Sequence, residues 1–346
     1  MKKNLVLIGC CCLLLAACQD KVEKQSAAAR EAYEAENYEE AITLNQKALA
    51  LDSNNITTYY NLAVIYREQG NIKRAIESYE QILLLSPDES IAHQDLGILY
   101  EEEEQNAQIA IEHLEAVLAT TKQPAQVKAA LSSSYVQQDN MPAALKYAKE
   151  TLALDSTNVK ALYSLGAVAE SEGLIDIAIN YHEQVLTLDS NYNASYPIVS
   201  NLYSLVGNTE KALYYGHKML AIFPDNIDML NNMGFIYLNT KNYPKAMEYF
   251  EKVIVANPEY AYAYNNKASL LIEEKEYQMA LEAAERSIEL DEDNAYAYKN
   301  MAVCYAELGQ LDACCEALDA AEKAKFRLRL KEELLALRVA YCGRVE

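Results

Sequence analysis

The chain has 346 residues and a formal net charge of −21, because 51 acidic residues oppose 30 lysines and arginines. A surface of this sign repels phosphate backbones, so we expect no nucleic-acid partner. Hydrophobic residues make up 51% of the sequence, as in an ordinary folded protein, and tryptophan is absent.

The N-terminal residues have the pattern of an export signal. Lys2 and Lys3 give a positive start, and the apolar stretch from Leu5 to Leu15 is short for a membrane span. Small residues follow in the sequence LAAC, which ends at Cys18 and precedes the polar Gln19. The pattern predicts a segment that is removed during export.

The LAAC sequence closely resembles a bacterial lipobox. The resemblance implies a signal peptide over residues 1–17, lipidation of Cys18 with palmitate-type acyl chains, and a polar tether over residues 18–24. It also implies a protein anchored in the cell envelope, and Gln19 favours the outer membrane facing the periplasm. An ordinary secretory signal with a coincidental cysteine is the alternative.

A repeat of 34 residues runs through the rest of the chain. A small residue marks the same repeat position nine times, with one spacing of 35. The nine residues are Ala41, Ala75, Ala110, Ala144, Ala178, Ala212, Ala246, Ala280 and Cys314. When each repeat is counted from the equivalent of Ile56, these residues stand at position 20. Position 8 is also small, and position 11 is often tyrosine.

Each repeat has the pattern of two helices. In the second repeat, Tyr59, Leu62 and Tyr66 are spaced as one helical stripe, and Gly70 stands where that helix would end in a left-handed conformation. Pro142 occupies the start of a second helix, where a missing N–H does no harm. Small residues at positions 8 and 20 allow two helix backbones to approach closely.

This repeat is similar to the tetratricopeptide repeat at almost every diagnostic position, although tyrosine or leucine replaces the usual tryptophan at position 4. The resemblance implies an all-α fold, a right-handed superhelical α-solenoid of about nine helix pairs. We assign this solenoid to residues 25–326. Residues 327–346 follow as a capping helix and tail, because Leu330, Leu334, Leu337 and Tyr341 form one apolar stripe.

The sequence offers no catalytic constellation. It has no Gly-rich phosphate loop, GxSxG or HExxH motif, and no histidine at metal-ligand spacing from a cysteine, so we expect no enzyme activity, cofactor or metal. His182 falls at a core position, and we interpret Glu101–Glu104 as a solvated turn. Cys342 either pairs with Cys314 or Cys315, since export permits disulfides, or remains a buried thiol.

In the family that this repeat resembles, the first helix of each pair lines a concave groove. Positions 2, 5, 6, 9 and 12 lie beside the packing stripe and are expected to stay free for a partner. Asparagine recurs at position 6 although it is a poor helix former, which suggests use as a donor and acceptor to a peptide backbone. Solvated positions inherited by repeat duplication are the alternative. The predicted contact residues are Tyr60, Asn61, Asn231, Asn232, Phe235, Tyr262, Asn265, Asn266, Tyr296, Lys299 and Asn300.

These patterns predict a membrane-anchored scaffold or adaptor that binds proteins or peptides in the bacterial cell envelope. Two alternatives remain from other classes: a module that binds an envelope carbohydrate polymer, and a non-catalytic regulatory subunit of an envelope enzyme. The sequence leaves self-association into a homo-oligomer open.

Overall fold

The computed structural model describes residues 19–103, 106–324 and 328–343, with only the backbone for residues 328 and 329. Within these ranges every regular element is a helix, and the helices follow one another in pairs. The all-α fold of paired repeats predicted from the sequence is therefore confirmed. The chain divides into two compact units, the first ending at Gln184 and the second beginning at Val185.

The first unit contains the N-terminal helices of the chain, and the boundary between the units falls inside α10. The helices are α1 (19–34), α2 (Tyr38–Leu51), α3 (Ile56–Glu68), α4 (Ile72–Leu85), α5 (Ser90–Glu102), α6 (Ala107–Val117), α7 (Pro124–Gln137), α8 (Met141–Leu154), α9 (Val159–Ser171) and α10 (Ile175–Leu188).

The second unit continues the same alternation. Its helices are α11 (Ser195–Leu205), α12 (Thr209–Ile222), α13 (Ile227–Asn239), α14 (Tyr243–Ala256), α15 (Ala261–Glu273), α16 (Tyr277–Leu290), α17 (Ala295–Glu307), α18 (Leu311–Lys323) and α19 (Leu328–Tyr341). Each of α13, α15 and α17 contacts the second helix of its own pair and also the next helix of the series α13, α15, α17 and α19.

Asparagine side chains cap the N-termini of ten helices. In each case the side-chain oxygen accepts a hydrogen bond from the backbone N–H three residues later, which stabilises a helix by about 1 kcal/mol relative to alanine. The ten residues are Asn37, Asn55, Asn71, Asn106, Asn140, Asn158, Asn208, Asn226, Asn242 and Asn294. These caps fix where each helix begins, and the sequence analysis missed them.

The turn inside a repeat needs one residue with a left-handed backbone. Gly173 adopts φ 71° at this point, as predicted for the glycines at repeat position 15. Where the repeat lacks glycine, Lys241 and Lys275 adopt the same conformation with φ 59° and 63°. The geometry of the turn is therefore set by the stacking of the helix pair and not by glycine alone.

In several helix pairs the core contains a small residue that faces a large one. An added Cβ at Gly97 would lie 2.7 Å from Leu114 Cγ, and one at Gly234 would lie 2.5 Å from Phe250. Within each of these pairs the small residue stands at repeat position 8 and the large one at position 24. This alternation gives close packing, and adding a methyl group at Gly234 would force the buried Phe250 ring to move.

Helix α19 packs on the last helix pair of the second unit. Leu330 and Leu334 are buried against α17 and α18, together with the half-buried Leu337 and Tyr341. A disulfide joins Cys315 of α18 to Cys342, with the two Cα atoms 5.8 Å apart. Cys342 thus pairs with Cys315, one of the two partners considered from the sequence.

Two expectations from the sequence are wrong in the described residues. Residues 19–24, assigned to a tether, are helical and belong to α1, because Val22 is buried. Glu101 and Glu102, assigned to a solvated turn, form the end of α5. Glu101 is buried because Lys160 of α9 reaches it, with Nζ 2.7 Å from Glu101 Oε2.

Candidate partner-binding site

Asparagine amides join the first helices of the last three repeats. Asn266 of α15 donates from Nδ2 to Asn231 Oδ1 of α13 at 2.9 Å. Asn300 of α17 donates from Nδ2 to Asn265 Oδ1 of α15, also at 2.9 Å, and to Ser269 Oγ. In both cases repeat position 6 donates to position 5 of the preceding repeat. The four asparagines form what we call the amide ladder.

Three large side chains remain exposed one helical turn from the amide ladder. The exposed fractions are 45% for Phe235, 54% for Tyr262 and 37% for Tyr296. Each ring stands four residues along its own helix from a ladder asparagine, a spacing that places both on one helix face. We call Phe235, Tyr262 and Tyr296 the exposed rings.

Neighbouring side chains restrict two of the exposed rings. The ring of Tyr262 lies edge-on to Tyr260 with 5.8 Å between centroids, and the Tyr260 hydroxyl donates to Asp228 Oδ1 at 2.8 Å. Lys299 Nζ lies 5.9 Å from the centroid of Tyr296 and 2.9 Å from Glu333 Oε2 of α19. Rings that are already held lose little conformational freedom when a ligand contacts them.

This helix face is almost uncharged, although the protein carries a net charge of −21. At repeat positions 2, 5, 6, 9 and 12 of α13, α15 and α17, all within the described residues, only Asp228 and Lys299 are charged. Both of these side chains already have a bonded neighbour. Recognition at this face would therefore depend on aromatic and amide contacts, not on charge.

The structure changes the interpretation of several predicted contact residues. Asn231, Asn265 and Asn300 are buried, so the expectation that these positions stay free is wrong for them. The reason is the close approach of successive first helices, which lets one amide reach the next. The remaining predicted amides, Asn232 and Asn266, are half-buried. Partner binding by these residues stays a prediction.

Lys299 and the predicted residues of the first unit are also less accessible than expected. Lys299, Tyr60 and Asn61 are half-buried. Tyr60 lies edge-on to Tyr79 with 6.1 Å between ring centroids, and the Tyr79 hydroxyl lies 3.2 Å from Asp95 Oδ2, which accepts its hydrogen bond. Burial raises the pKa of Tyr60, and the Asp95 carboxylate raises it further.

Asp95 occupies repeat position 6, where the ladder of the second unit has asparagine. Burial raises the pKa of its carboxyl above the usual range, and the hydrogen bond from Tyr79 opposes that shift. Further along the first unit, Arg67 of α3 pairs with Glu102 of α5 at 2.9 Å. Glu102 thus joins α5 through a carboxylate to α3, the first helix of the preceding pair.

Comparison with known proteins agrees with the paired helices. Four family models described as tetratricopeptide repeats match residues 32–97, 227–260, 261–294 and 283–316. Residues 32–97 and 227–316 are therefore tetratricopeptide repeats. The matched segments include the whole of α13 and α15 and the whole of α17, which carry the amide ladder and the exposed rings.

Among curated proteins, the repeat protein is 32% identical over 75 residues to the photosystem I assembly protein Ycf3 of Prochlorococcus marinus (strain MIT 9301). That match covers 21% of this chain and 43% of the relative, so the chain spans less than half of the relative's length.

Two solved structures share the fold at low identity. A tetratricopeptide repeat protein from Parabacteroides merdae is 14% identical with a TM-score of 0.55, and the match covers 82% of this chain and 98% of that one. PilW, a widely conserved type IV pilus biogenesis factor, is 19% identical with a TM-score of 0.51, over 60% of this chain and 96% of the other. These similarities concern the fold.

Three histidines of the repeat protein, His93, His113 and His182, contact other side chains. His182 is fully buried and lies 3.0 Å from Glu170 Oε1, which confirms the predicted core position. His93 and His113 face each other with their Nδ1 atoms 2.8 Å apart, and burial lowers the pKa of His113. Within the described ranges, no cluster of three or more histidine, cysteine, aspartate or glutamate side chains is arranged to hold a metal ion.

The predicted lipidation site, Cys18, lies outside the described residues. Across the part of the chain that the structure describes, no helix is both long and apolar enough to span a bilayer.

The amide ladder could have been found in the sequence by one further step. Positions 5 and 6 both hold asparagine in the seventh and eighth repeats, and a 35-residue offset pairs position 5 of one repeat with position 6 of the next. Within a single repeat each of these asparagines has no evident partner. Residues that bond each other were therefore predicted to face a partner polypeptide.

Proposed function

We propose that this protein is an envelope scaffold that binds extended segments of partner polypeptides across the exposed rings of α13, α15 and α17. The observation that carries the proposal is the placement of Phe235, Tyr262 and Tyr296 on one face of consecutive first helices that has few charges. Exposed aromatic side chains of this kind are typical anchors for protein partners. An acidic protein that keeps one such face neutral has a surface suited to polypeptides of either charge.

The half-buried amides add a means of holding a peptide backbone. An amide group carries two N–H donors and an acceptor oxygen, and the ladder bond from Asn266 to Asn231 uses one donor of Asn266. Asn232 lies on the neighbouring helix at the same repeat position. Together these amides would bond the main chain of an extended segment while the exposed rings contact its side chains.

The proposed location is the extracytoplasmic side of a membrane, with a lipid on Cys18 as the anchor. The LAAC sequence supports the anchor, and the Cys315–Cys342 disulfide supports an oxidising compartment. Metabolic labelling with radioactive palmitate tests the anchor directly. Label should appear on the wild-type protein and be absent from Cys18→Ser, and label that persists on that variant would refute the lipoprotein assignment.

The binding surface is tested by a matched pair of triple variants. Phe235→Ala, Tyr262→Ala and Tyr296→Ala are combined in one protein, because these side chains are exposed and their loss should leave the fold intact. The control combines Tyr214→Ala, Val255→Ala and Met279→Ala, which remove from second helices side chains that are at least as exposed. Cross-linked partners should be recovered with the wild type and the control, and at least tenfold less with the ring variant.

Equal recovery with both triple variants would refute the proposed surface. The ladder asparagines are poor choices for this test, because three of the four are buried and their removal would disturb helix packing. Exposed aromatic rings also stack on sugars, so an envelope carbohydrate polymer is the second candidate ligand. Recovery of polymer in place of polypeptide, again lost in the ring variant, would favour that alternative.

A further inference from the structure

A cavity of about 110 Å³ lies between the first two helix pairs of the first unit. It is lined by Ala29, Arg30 and Tyr33 of α1, Asn45 of α2, and Tyr60, Asn61, Val64 and Ile65 of α3. Tyr60, Asn61 and Val64 stand at repeat positions 5, 6 and 9 of α3, which belong to the face that would line a groove. We call it the Asn45 pocket.

Two facing positions of the first repeat line the pocket. In the third repeat Gly97 at position 8 receives Leu114 from position 24, and in the seventh Gly234 receives Phe250. In the first repeat the corresponding residues are Ala29 and Asn45, and both line the pocket. A polar side chain therefore stands here at the position where the third and seventh repeats have a large apolar one.

One polar atom at the pocket has no partner. The Asn45 side chain is fully buried, and its Nδ2 donates to Ala41 O at 2.9 Å. Its Oδ1 accepts no hydrogen bond, although an unsatisfied buried acceptor is costly and uncommon in proteins. An occupant with a hydrogen-bond donor would remove that cost.

The remaining walls favour a short, mostly apolar occupant. Besides the polar Arg30 and Asn61, the walls consist of the aliphatic Ala29, Val64 and Ile65 and the half-buried rings of Tyr33 and Tyr60. A cavity of about 150 Å³ accepts benzene, so a smaller one suits an aliphatic group of three or four heavy atoms. A group that combines this size with one hydroxyl donor has the chemistry of a threonine side chain.

We propose that the Asn45 pocket receives a threonine side chain from an extended partner segment, with its hydroxyl donating to Asn45 Oδ1. The polypeptide that presents this side chain is the one required by the proposed function, so the inference rests on that function. The pocket lies in the first unit, whereas the exposed rings lie in the second. It would add selectivity for sequence to a surface that otherwise binds polypeptides through general contacts.

The test uses Asn45→Leu. Asn45 stands at the repeat position that Leu114 and Leu318 occupy in the third and ninth repeats, and both of these leucines are fully buried. The substitution fills the cavity and removes the unpaired acceptor, so the melting temperature of this variant should rise. Gln46→Leu introduces the same residue at an exposed neighbouring position and serves as the control.

A displayed library of short linear peptides is selected on the full chain and on both variants. Peptides enriched on the wild type and on Gln46→Leu should share a threonine at one position, at least tenfold over valine, and Asn45→Leu should lose that preference. Enriched peptides without such a threonine preference, or with the same preference on Asn45→Leu, would overturn the pocket proposal while leaving the proposed function intact.

A second measurement tests the pocket without any peptide. 2-Propanol combines methyl groups with one hydroxyl, and it should shift the Asn45 side-chain amide resonance, which is identified by its loss in Asn45→Leu. Saturable shifts of this resonance together with a failed peptide selection would count against the proposed function and support the pocket. The absence of any shift would overturn the pocket.

Discussion

In the first unit an ion pair between Arg67 and Glu102 joins the first helices α3 and α5, whereas in the second unit asparagine amides join α13, α15 and α17. Asp95 and Asn266 both stand at repeat position 6, but Asp95 accepts a hydrogen bond from Tyr79 of the second helix α4, whereas Asn266 bonds Asn231 of the first helix α13. One side chain is a carboxyl and the other an amide. The comparison shows that the stacking of helix pairs tolerates either chemistry, because small and large residues elsewhere in the repeat fix the helices.

The two units should respond differently to salt and to the removal of a bonding partner, because one uses charged contacts and the other uses amide contacts. Interactions between exposed charges weaken as salt screens them, and buried charges are costly when a partner is removed. Hydrogen bonds between neutral amides are not screened by salt, and the loss of one partner leaves no buried charge. The same scaffold therefore presents an uncharged face in the second unit and a face containing charged pairs in the first.

The largest expected effect is the loss of the partner of a buried carboxylate in the first unit. Lys160→Met leaves Glu101 buried without its ammonium partner and should lower the free energy of unfolding by about 3 kcal/mol. The control is Lys252→Met, which breaks the exposed pair with Glu248 and should change stability by less than about 0.5 kcal/mol. Urea unfolding measures both, and equal shifts would contradict the burial argument.

A smaller loss is expected when the amide ladder is broken in the second unit. Asn300→Leu keeps the branched shape of the side chain but removes the donor to Asn265 Oδ1, which should cost about 2 kcal/mol because a buried acceptor is left unpaired. Urea unfolding should give the same loss of stability at low salt and at high salt. A loss that shrinks at high salt would indicate an electrostatic contribution that the structure does not contain.

The exposed charged pair of the first unit should behave in the opposite way. Arg67→Met removes the ion pair with Glu102, in which both side chains are more than a third exposed, and should cost less than about 1 kcal/mol. That cost should fall towards zero as sodium chloride is raised to about 1 M, where the screening length is only about 3 Å. An effect independent of salt would show that packing of the arginine stem dominates.

The smallest effect should come from converting a charged position of the first unit into the amide of the second. Burial raises the pKa of Asp95, so the folded protein binds its proton more readily than the unfolded chain. The carboxyl is therefore most favourable at low pH, and this contribution is lost as pH rises from the unfolded pKa through the folded pKa. Asp95→Asn should be slightly more stable than wild type at pH 7, with a difference that vanishes at acid pH. Unfolding curves across this range would reveal the opposite trend if Tyr79 outweighed burial.

Much of the fold could be predicted from the sequence because its signals repeat. The regular return of a small residue, from Ala41 to Cys314, fixes the helix pairs, and the stripe containing Leu330 and Leu334 predicts a helix that packs on the last pair. Each repeat adds an independent observation of the same pattern. A repeat that departs from the pattern at one position therefore does not hide it in the others.

The site was less predictable because it depends on contacts between repeats. Asn231 and Asn265 were expected to face a partner, but each accepts a hydrogen bond from the next first helix. Glu101 belongs to a run of four acidic residues, and only the tertiary fold brings Lys160 to it. The Asn45 pocket is likewise lined by side chains from three helices, which no single stretch of sequence shows.

The central claim is that partners bind the uncharged face carrying the exposed rings, and photo-crosslinking tests it most directly. A photoreactive amino acid is placed at Tyr262 in one protein and at Val255 in another, since both side chains are exposed but lie on a first and a second helix, respectively. Irradiation should attach a partner polypeptide at Tyr262 and leave the Val255 protein unmodified. Adducts formed mainly from Val255, or equally from both positions, would contradict the account.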